Sequence, residues 1–323
     1  MLAVIPVAGV GSRLRPHTYT LPKVLINVAG KPIIGHILDK IIADGFDRAT
    51  IIVGYMGDKI KEYVLANYTI DVEFIDQEER KGLAHAVHLA KTTTSDPFLI
   101  ILGDTIFDVD LKPVIQGNHT SIGVKYVDDP RRFGVTEEHD GYVSKFVEKP
   151  EHPTSNFAIV GLYWIRNPRL LDECINELFT RDIKTRGEYQ LTDALQLMIE
   201  RGEKITTFPV EGWFDCGKSE TLLSTNCHLL DKQKNKYEVD GVVIIPPVYI
   251  SRQAKITHSI IGPYTTIAAN AIVTDSIIRN SIVSEDAHVV RSLLDNSIIG
   301  NHASVMGAFK RINVGDSSEI DFY

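Results

Sequence analysis

The amino-acid sequence predicts an α/β domain built on a mostly parallel sheet, followed by a parallel β-helix. Three observations carry the prediction. Short apolar runs alternate with helical patterns up to about residue 110, a strand-rich stretch occupies 119–166, and beyond residue 237 apolar residues recur at steps of five or six. Alternation of the first kind builds βαβ units. A hexapeptide-like period builds coils that bury their apolar faces only by stacking on one another.

Taken in order, "LAVIPV", "ATIIVG", "DVEFID" and "PFLIIL" read as strands, separated by the helical patterns "KPIIGHILDKIIADG", "DKIKEYVLANY" and "GLAHAVHLAKT". Ligands of such a sheet belong at the carboxyl ends of its strands. "TSIGVKYV", "YVSKFVEKP" and "FAIVGLYWI" then read as strands of an insertion that covers the sheet. Helical patterns return around 167–179 and 190–201, followed by strands in "KITTFPVEGWFDCG" and a polar-faced helix in "KSETLLSTNCHLLDKQKNK". The boundary is expected near residue 237, giving domains 1–237 and 238–323. In the second, Ile250, Ile256, Ile261, Ile267, Val273, Ile278, Val283, Val289, Leu294, Ile299 and Val305 mark the repeat, which corresponds to about three to four turns.

Composition narrows the functional classes. The chain of 323 residues is 44% hydrophobic and 24% charged, with a formal charge of −8. That balance argues against a nucleic-acid-binding or membrane-binding surface, so any anionic ligand must meet specific cations. Cys174, Cys216 and Cys227 form neither a CxxC pair nor an even framework, which predicts free thiols in a reducing, cytoplasmic setting. The start "MLAVIPVAG" lacks a basic leader, and no apolar run approaches the roughly 20 residues that span a bilayer.

The stretch "VAGVGSRLRPHTYTLPK" directly follows the first predicted strand. Gly9 and Gly11 allow close backbone approach to a ligand and leave N–H groups to face oxygens, while Arg13, Arg15 and Lys23 supply charge. Neither GxxxxGK[ST] nor GxGxxG fits this loop; the chain offers GxGxR. Read without further context, the glycines serve a turn equally well and the cations are equally well solvated.

The loop matches the G-x-G-[ST]-R-[LM]-x-P…P-K signature of the sugar-1-phosphate nucleotidylyltransferases at Gly9, Gly11, Ser12, Arg13, Leu14, Pro16, Pro22 and Lys23. The ordered series "GVGSRLRPHT", "LPK", "GKPII", "GLAHA", "LGDTIFD", "RRFGV", "VEKP", "VGLYWI", "RGEYQLTD" and "GWFDCG" resembles the glucose-1-phosphate thymidylyltransferase and uridylyltransferase branch over residues 1 to about 225. The tail resembles the left-handed β-helix carried by several members. The resemblance implies a Rossmann-like, nucleotide-diphospho-sugar transferase sheet, and attack by a sugar-1-phosphate oxygen on the α-phosphorus of dTTP or UTP with release of pyrophosphate. Such chemistry brings several anions together and calls for cations and Mg²⁺ more than for proton transfer.

The resemblance also implies roles. Asp104, at the end of "PFLIILGD", and Asp215, in "GWFDCG", are the expected Mg²⁺ ligands. Arg13 is expected on the β- and γ-phosphates and Lys23 on the α-phosphate. Ala8, Gly9, Gly11, Ser12, Gln77 and Gly82 complete the nucleotide site, with the Gln77 carboxamide reading a pyrimidine edge. Glu148 is expected to accept from sugar hydroxyls and Lys149 to meet the sugar phosphate; Gly134, Gly161 and Glu188 are further sugar-side positions. On residue type alone, Gly134 and Gly161 suit bulges or turns, and Glu188 suits a helix entry. The guanylyl branch carries a Thr-containing motif where this chain has "GLAHA", which favours dTTP or UTP. "VAGVGSRL" lacks the extra glycine of the thymidylyl type and is nearer the uridylyl form.

Other readings remain beside this one. A non-catalytic, pyrophosphorylase-like regulatory subunit would lack Arg13, Lys23, Asp104 or Asp215, all of which are present. The β-helix could carry an acyltransferase activity with His258, His288 or His302 as base. Stacking between solenoids predicts a homo-oligomer. Glucose is favoured by resemblance only.

Overall fold

The computed structural model describes residues 1–90 and 96–307. Lys91 and Thr92, at the end of the third predicted helix, and 308–323 of the predicted second domain lie outside the described residues. The chain begins with β1 (Leu2–Pro6), β2 (Asn27–Val28), β3 (Lys31–Pro32), α1 (Ile33–Ala43), β4 (Arg48–Val53), α2 (Gly57–Asn67), β5 (Asp71–Asp76), α3 (Leu83–Leu89) and β6 (Phe98–Ile101). Next come β7 (Thr105–Asp108), α4 (Lys112–Gln116), β8 (Thr120–Tyr126), β9 (Gly134–His139), β10 (Tyr142–Glu148) and β11 (Phe157–Ile165). Then follow α5 (Pro168–Thr180), α6 (Leu191–Glu200), β12 (Ile205–Pro209), β13 (Gly212–Asp215) and α7 (Ser219–Asp231). Two compact units result: Met1–Ile26 with Lys31–Thr225, and Asn27–Gly30 with the residues from Asn226 onward.

The first unit is a nine-stranded mixed sheet of order β10-β9-β11-β6-β1-β4-β5, which β8 and β12 join through β11. β1 pairs in parallel with β4 and β6, and β4 with β5, as the alternating pattern predicts. Helices cover such strands, so β1 and β6 are apolar on both faces and almost wholly buried. α1 buries Ile33, Ile34, Ile37, Leu38 and Ile41, one stripe at helical spacing. α5 starts where the Asn167 side chain accepts the Leu170 N–H at 3.2 Å and Pro168 occupies the first turn. β9 is a strand that the sequence pattern does not reveal. It pairs antiparallel with β10, but "GVTEEH" ends in exposed Glu138 and His139 and shows no alternation.

In the second unit the chain winds through β14 (Val243–Ile244), β15 (Val248–Ile250), β16 (Lys255–Thr257), β17 (Ile260–Ile261), β18 (Thr265–Ile267) and β19 (Ile272–Thr274). It continues through β20 (Ile277–Arg279), β21 (Ile282–Val283), β22 (His288–Val290), β23 (Leu293–Asp295), β24 (Ile298–Ile299) and β25 (Ser304–Met306). These strands form three parallel four-stranded sheets, β14-β17-β20-β23, β15-β18-β21-β24 and β16-β19-β22-β25. This is a parallel β-helix of four layers among the described residues. The predicted repeat positions stack inward in register: Ile261, Ile278 and Leu294; Ile250, Ile267, Val283 and Ile299; Ile256, Val273, Val289 and Val305.

Polar residues between them are equally periodic. Ser276 and Ser292 each donate a main-chain N–H, at 3.1 Å, to the Oγ of the serine one coil earlier, Ser259 and Ser276. Corners are turned by residues in the left-handed region, including Asn270, Asp275, Asn280, Asp286, Arg291 and Asn296. His258 and His302 occupy two more such corners, with exposed rings facing Asp275 and Asp286. Corner geometry thus accounts for both histidines, and His288 is an exposed outward residue of β22. Cys174, Cys216 and Cys227 are free thiols. No helix among the described residues is long and apolar enough to cross a membrane.

Candidate active site

Because β1 and β6 are parallel neighbours, their carboxyl ends open at one edge of the sheet, where the 7–25 loop and Gly103–Asp104 emerge. A cavity of about 460 Å³ lies there, lined by Ala8, Gly9, Gly11, Ser12, Arg13, Lys23, Gln77, Gly82, Asp104 and Glu188, with apolar walls from Val7, Leu83 and Leu102. A second cavity of about 220 Å³ shares Leu83 and Leu102 and is lined by Gly134, Glu148, Lys149, Tyr163 and Thr192. Asp215 and Gly161 line neither.

Two glycines are demanded by this geometry. Gly11 has φ +67°, and a Cβ there would stand 2.9 Å from Lys23 Cβ, so the glycine lets the lysine fold up against the loop. Gly82 has φ +112°, and its Cβ would lie 2.5 Å from the Tyr189 carbonyl oxygen. Tyr189 clamps the same turn, donating its N–H to Lys81 O at 2.8 Å and accepting that of Ala84 at 3.0 Å. Glu188 therefore reaches the larger cavity beside Gly82, although it was expected on the sugar side.

Lys23 is almost wholly buried, and its Nζ lies 2.5 Å from Asp104 Oδ2. A buried ammonium needs such a charge-assisted partner. β13 runs antiparallel to β7 with Asp215 opposite Thr105, and the Cys216 N–H donates to Asp104 O at 2.9 Å. Asp104, just before β7, and Asp215, at the end of β13, thereby stand at neighbouring ladder positions, one out of register. Asp215 Oδ1 accepts the Gly217 N–H at 2.8 Å, and a Cβ on Gly217 would be 3.3 Å from Arg13 Nη2. The Arg13 guanidinium thus reaches the Asp215 turn. Cys216 is no nucleophile here, since burial pushes its thiol pKa up to about 12.

In the smaller cavity Lys149 Nζ lies 3.0 Å from Glu148 Oε1, and Thr192 Oγ1 donates to Glu148 Oε2 at 3.2 Å. Gly134 leaves room for that carboxylate: a Cβ would come within 3.0 Å of Oε2. Lys149 adopts φ +45°, unusual for a residue with a side chain, and its carbonyl accepts from Arg186 Nη2 at 2.8 Å. Burial raises the pKa of the Tyr163 phenol in the cavity wall, so it stays protonated. Gly161, at φ +84°, sits in a bulge of β11 under Leu102, where the register with β8 shifts.

A family model described as nucleotidyl transferase matches residues 2–232. The chain belongs to the nucleotidyl transferase family. It is 30% identical to the glucose-1-phosphate thymidylyltransferase of Streptomyces antibioticus, across 99% of each chain. It is 34% identical to the bifunctional protein GlmU of Methanocaldococcus jannaschii, over 94% of this chain and 78% of that one. Among solved structures it is similar to a Bacillus anthracis protein described as a glucose-1-phosphate thymidylyltransferase, in complex with sucrose. The TM-score is 0.63 at 28% identity, covering 73% of this chain and 98% of the other.

Three features of this nucleotidyl transferase have no counterpart in the sequence reading. Arg80 lines the larger cavity, and Arg132 and Tyr163 line the smaller. Arg132 adjoins the "RFGV" motif, a usable signal; Tyr163 was hidden inside an apolar strand. No cluster of three or more His, Cys, Asp or Glu suited to a metal exists among the described residues. The β7–β13 ladder brings Asp104 and Asp215, the two carboxylates expected to hold Mg²⁺, to neighbouring main-chain positions; oxygen donors of this kind are what Mg²⁺ takes, one or two at a time, beside phosphates and water.

Proposed function

We propose that this nucleotidyl transferase moves the nucleotidyl group of dTTP or UTP onto a sugar-1-phosphate, glucose-1-phosphate being favoured, and releases pyrophosphate. The observation that carries the reading is the adjacency of two cavities: one combines Gly9, Gly11, Arg13 and Lys23 with Asp104, and its neighbour holds Glu148 and Lys149. The first suits a triphosphate and the second a phosphorylated sugar. A sugar-phosphate oxygen forms the new bond to the α-phosphorus, the α–β bridging bond breaks, and pyrophosphate departs with the electron pair. No protein group needs to gain or lose a proton.

Each residue has a physical task in this reading. Arg13 stabilises charge growing on pyrophosphate, because a planar fork can hold two oxygens at once. Lys23, paired with Asp104, meets the α-phosphate in this reading, and Lys149 holds the attacking phosphate in line. Glu148, polarised by Thr192 and Lys149, accepts from sugar hydroxyls. Mg²⁺, when held by Asp104 and Asp215, supplies charge neutralisation across the phosphates. Streptomyces antibioticus thymidylyltransferase supports dTTP and glucose-1-phosphate, while the similarity to GlmU keeps other sugars in the test.

A cytoplasmic homo-oligomer completes the proposal. Val243, Ile260, Ile277 and Leu293 stack in register on the outer face of one solenoid sheet, and Leu293 is 72% exposed. A second copy is the fitting partner, since a two-fold axis would set the same side-chain spacing against itself. The test is pyrophosphate release with Mg²⁺ and each common nucleoside triphosphate, against glucose-1-phosphate, N-acetylglucosamine-1-phosphate and other sugar phosphates. Light scattering on the same preparation reads the assembly. Release that needs both a pyrimidine triphosphate and a sugar phosphate is expected; silence with every pair, or a monomer, overturns the respective part.

A further inference from the structure

Gln77 is 6% exposed and lines the larger cavity. Its Nε2 lies 3.4 Å from the Gly82 carbonyl oxygen and 3.0 Å from His85 Nδ1. A main-chain carbonyl can only accept, so the carboxamide must turn its NH₂ group toward Gly82. The other N–H of that nitrogen then meets His85, whose Nδ1 must carry a lone pair to receive it. The ring proton accordingly sits on Nε2. Two further facts agree with a neutral ring: burial lowers the His85 pKa, and nearby Lys81 and His88 lower it further, outweighing Glu79. With its nitrogen held by two acceptors, Gln77 has Oε1 left for a ligand.

We infer that His85 is a positioning residue that fixes the Gln77 carboxamide with its oxygen toward the cavity, so that the site selects pyrimidines carrying a ring N–H over those presenting a ring lone pair. Uracil and thymine belong to the first class and cytosine to the second. The inference rests on the larger cavity being the nucleotide site. Gly82 sits in a turn held on both sides by Tyr189, whose N–H donates to Lys81 O at 2.8 Å and whose carbonyl accepts from Ala84 N–H at 3.0 Å, so the carbonyl that Gln77 meets is fixed in place. Unmatched polar groups in a buried reading site discriminate strongly, so the ratio between bases reports the amide's orientation directly.

The readout is the ratio of kcat/KM for UTP or dTTP to that for CTP, with one sugar phosphate throughout. His85→Leu removes the acceptor and is expected to lower this ratio at least tenfold. His85→Gln restores an acceptor and is expected to keep the ratio near that of the unaltered chain. His85→Lys, a pure donor, draws the amide oxygen to itself and is expected to shift preference furthest toward CTP. Should His85→Leu misfold, the contrast between the Gln and Lys variants decides alone. An unchanged ratio in folded His85→Leu, or equal ratios in the Gln and Lys variants, overturns the inference while nucleotide binding persists. Absence of UTP, dTTP and CTP binding by calorimetry overturns instead the nucleotide-site reading on which it rests.

Discussion

Ile261 in the solenoid has Ile278 above it, and Ile278 has Leu294, so each coil presents nearly the same surroundings to the same side chain. In the α/β unit no residue of the site has such a double. Lys23 meets Asp104, the β7–β13 ladder brings the main chain of Asp215 beside Asp104, and Gly82 is held by Tyr189. The solenoid solves one packing problem repeatedly with neighbours 16 or 17 residues away, whereas the site is assembled once from segments whose separations follow no period. Damage should therefore differ in kind: graded and structural in the repeat, all-or-nothing and chemical in the site.

The largest effect is expected where the site is least redundant. Asp215→Asn should cut turnover about a thousandfold, the scale of removing one preorganised electrostatic contact from a transition state. The fold should survive, because an amide oxygen can still accept the Gly217 N–H that Asp215 Oδ1 accepts at 2.8 Å. Asp104→Asn should cost as much activity and also some stability, since it weakens the partner of the buried Lys23 ammonium. Pyrophosphate-release rates at saturating Mg²⁺, with circular dichroism as the fold check, read both variants. Rates within tenfold of the unaltered chain would remove the metal role proposed for these carboxylates.

A middle-sized effect belongs to the solenoid core. Ile278 is fully buried between Ile261 and Leu294, so Ile278→Ala should destabilise its unit by about 2–5 kcal/mol through lost burial and the cavity left behind. Chemical denaturation followed by a solenoid-specific probe measures it. A cost below about 1 kcal/mol would mean that the coils relax into the space and that the repeat is less tightly coupled than its register implies.

How much of this was legible follows the same division. The repeat positions Ile250 to Val305 all face inward, because a short period needs only local information. Strands β1, β4, β5 and β6 were legible from apolar runs, and that Arg13, Lys23 and Asp104 share one cavity was expected from the family signature. β9 was hidden because its second half, Glu137, Glu138 and His139, is polar and offers no apolar alternation. Arg80 and Tyr163 were hidden because nothing in their neighbourhood announces which cavity they line. Gly161 shows the converse: a motif glycine whose φ of +84° and contact with Leu102 give it a packing reason of its own.

The smallest effect tests whether the corners matter as backbone or as chemistry. Asn270 turns a corner at φ +57° and is exposed. Asparagine tolerates that conformation, alanine pays a steric penalty from its Cβ, and glycine pays none. Asn270→Ala should therefore cost about 1 kcal/mol, and Asn270→Gly close to nothing beyond a few tenths from the freer unfolded chain. Thermal unfolding of the two variants side by side gives the answer. Equal losses in both would mean that the asparagine side chain contributes by its own contacts, and the same question would then reopen for His258 and His302, which share the geometry. A loss confined to alanine leaves the corner residues, histidines included, explained by the path of the backbone.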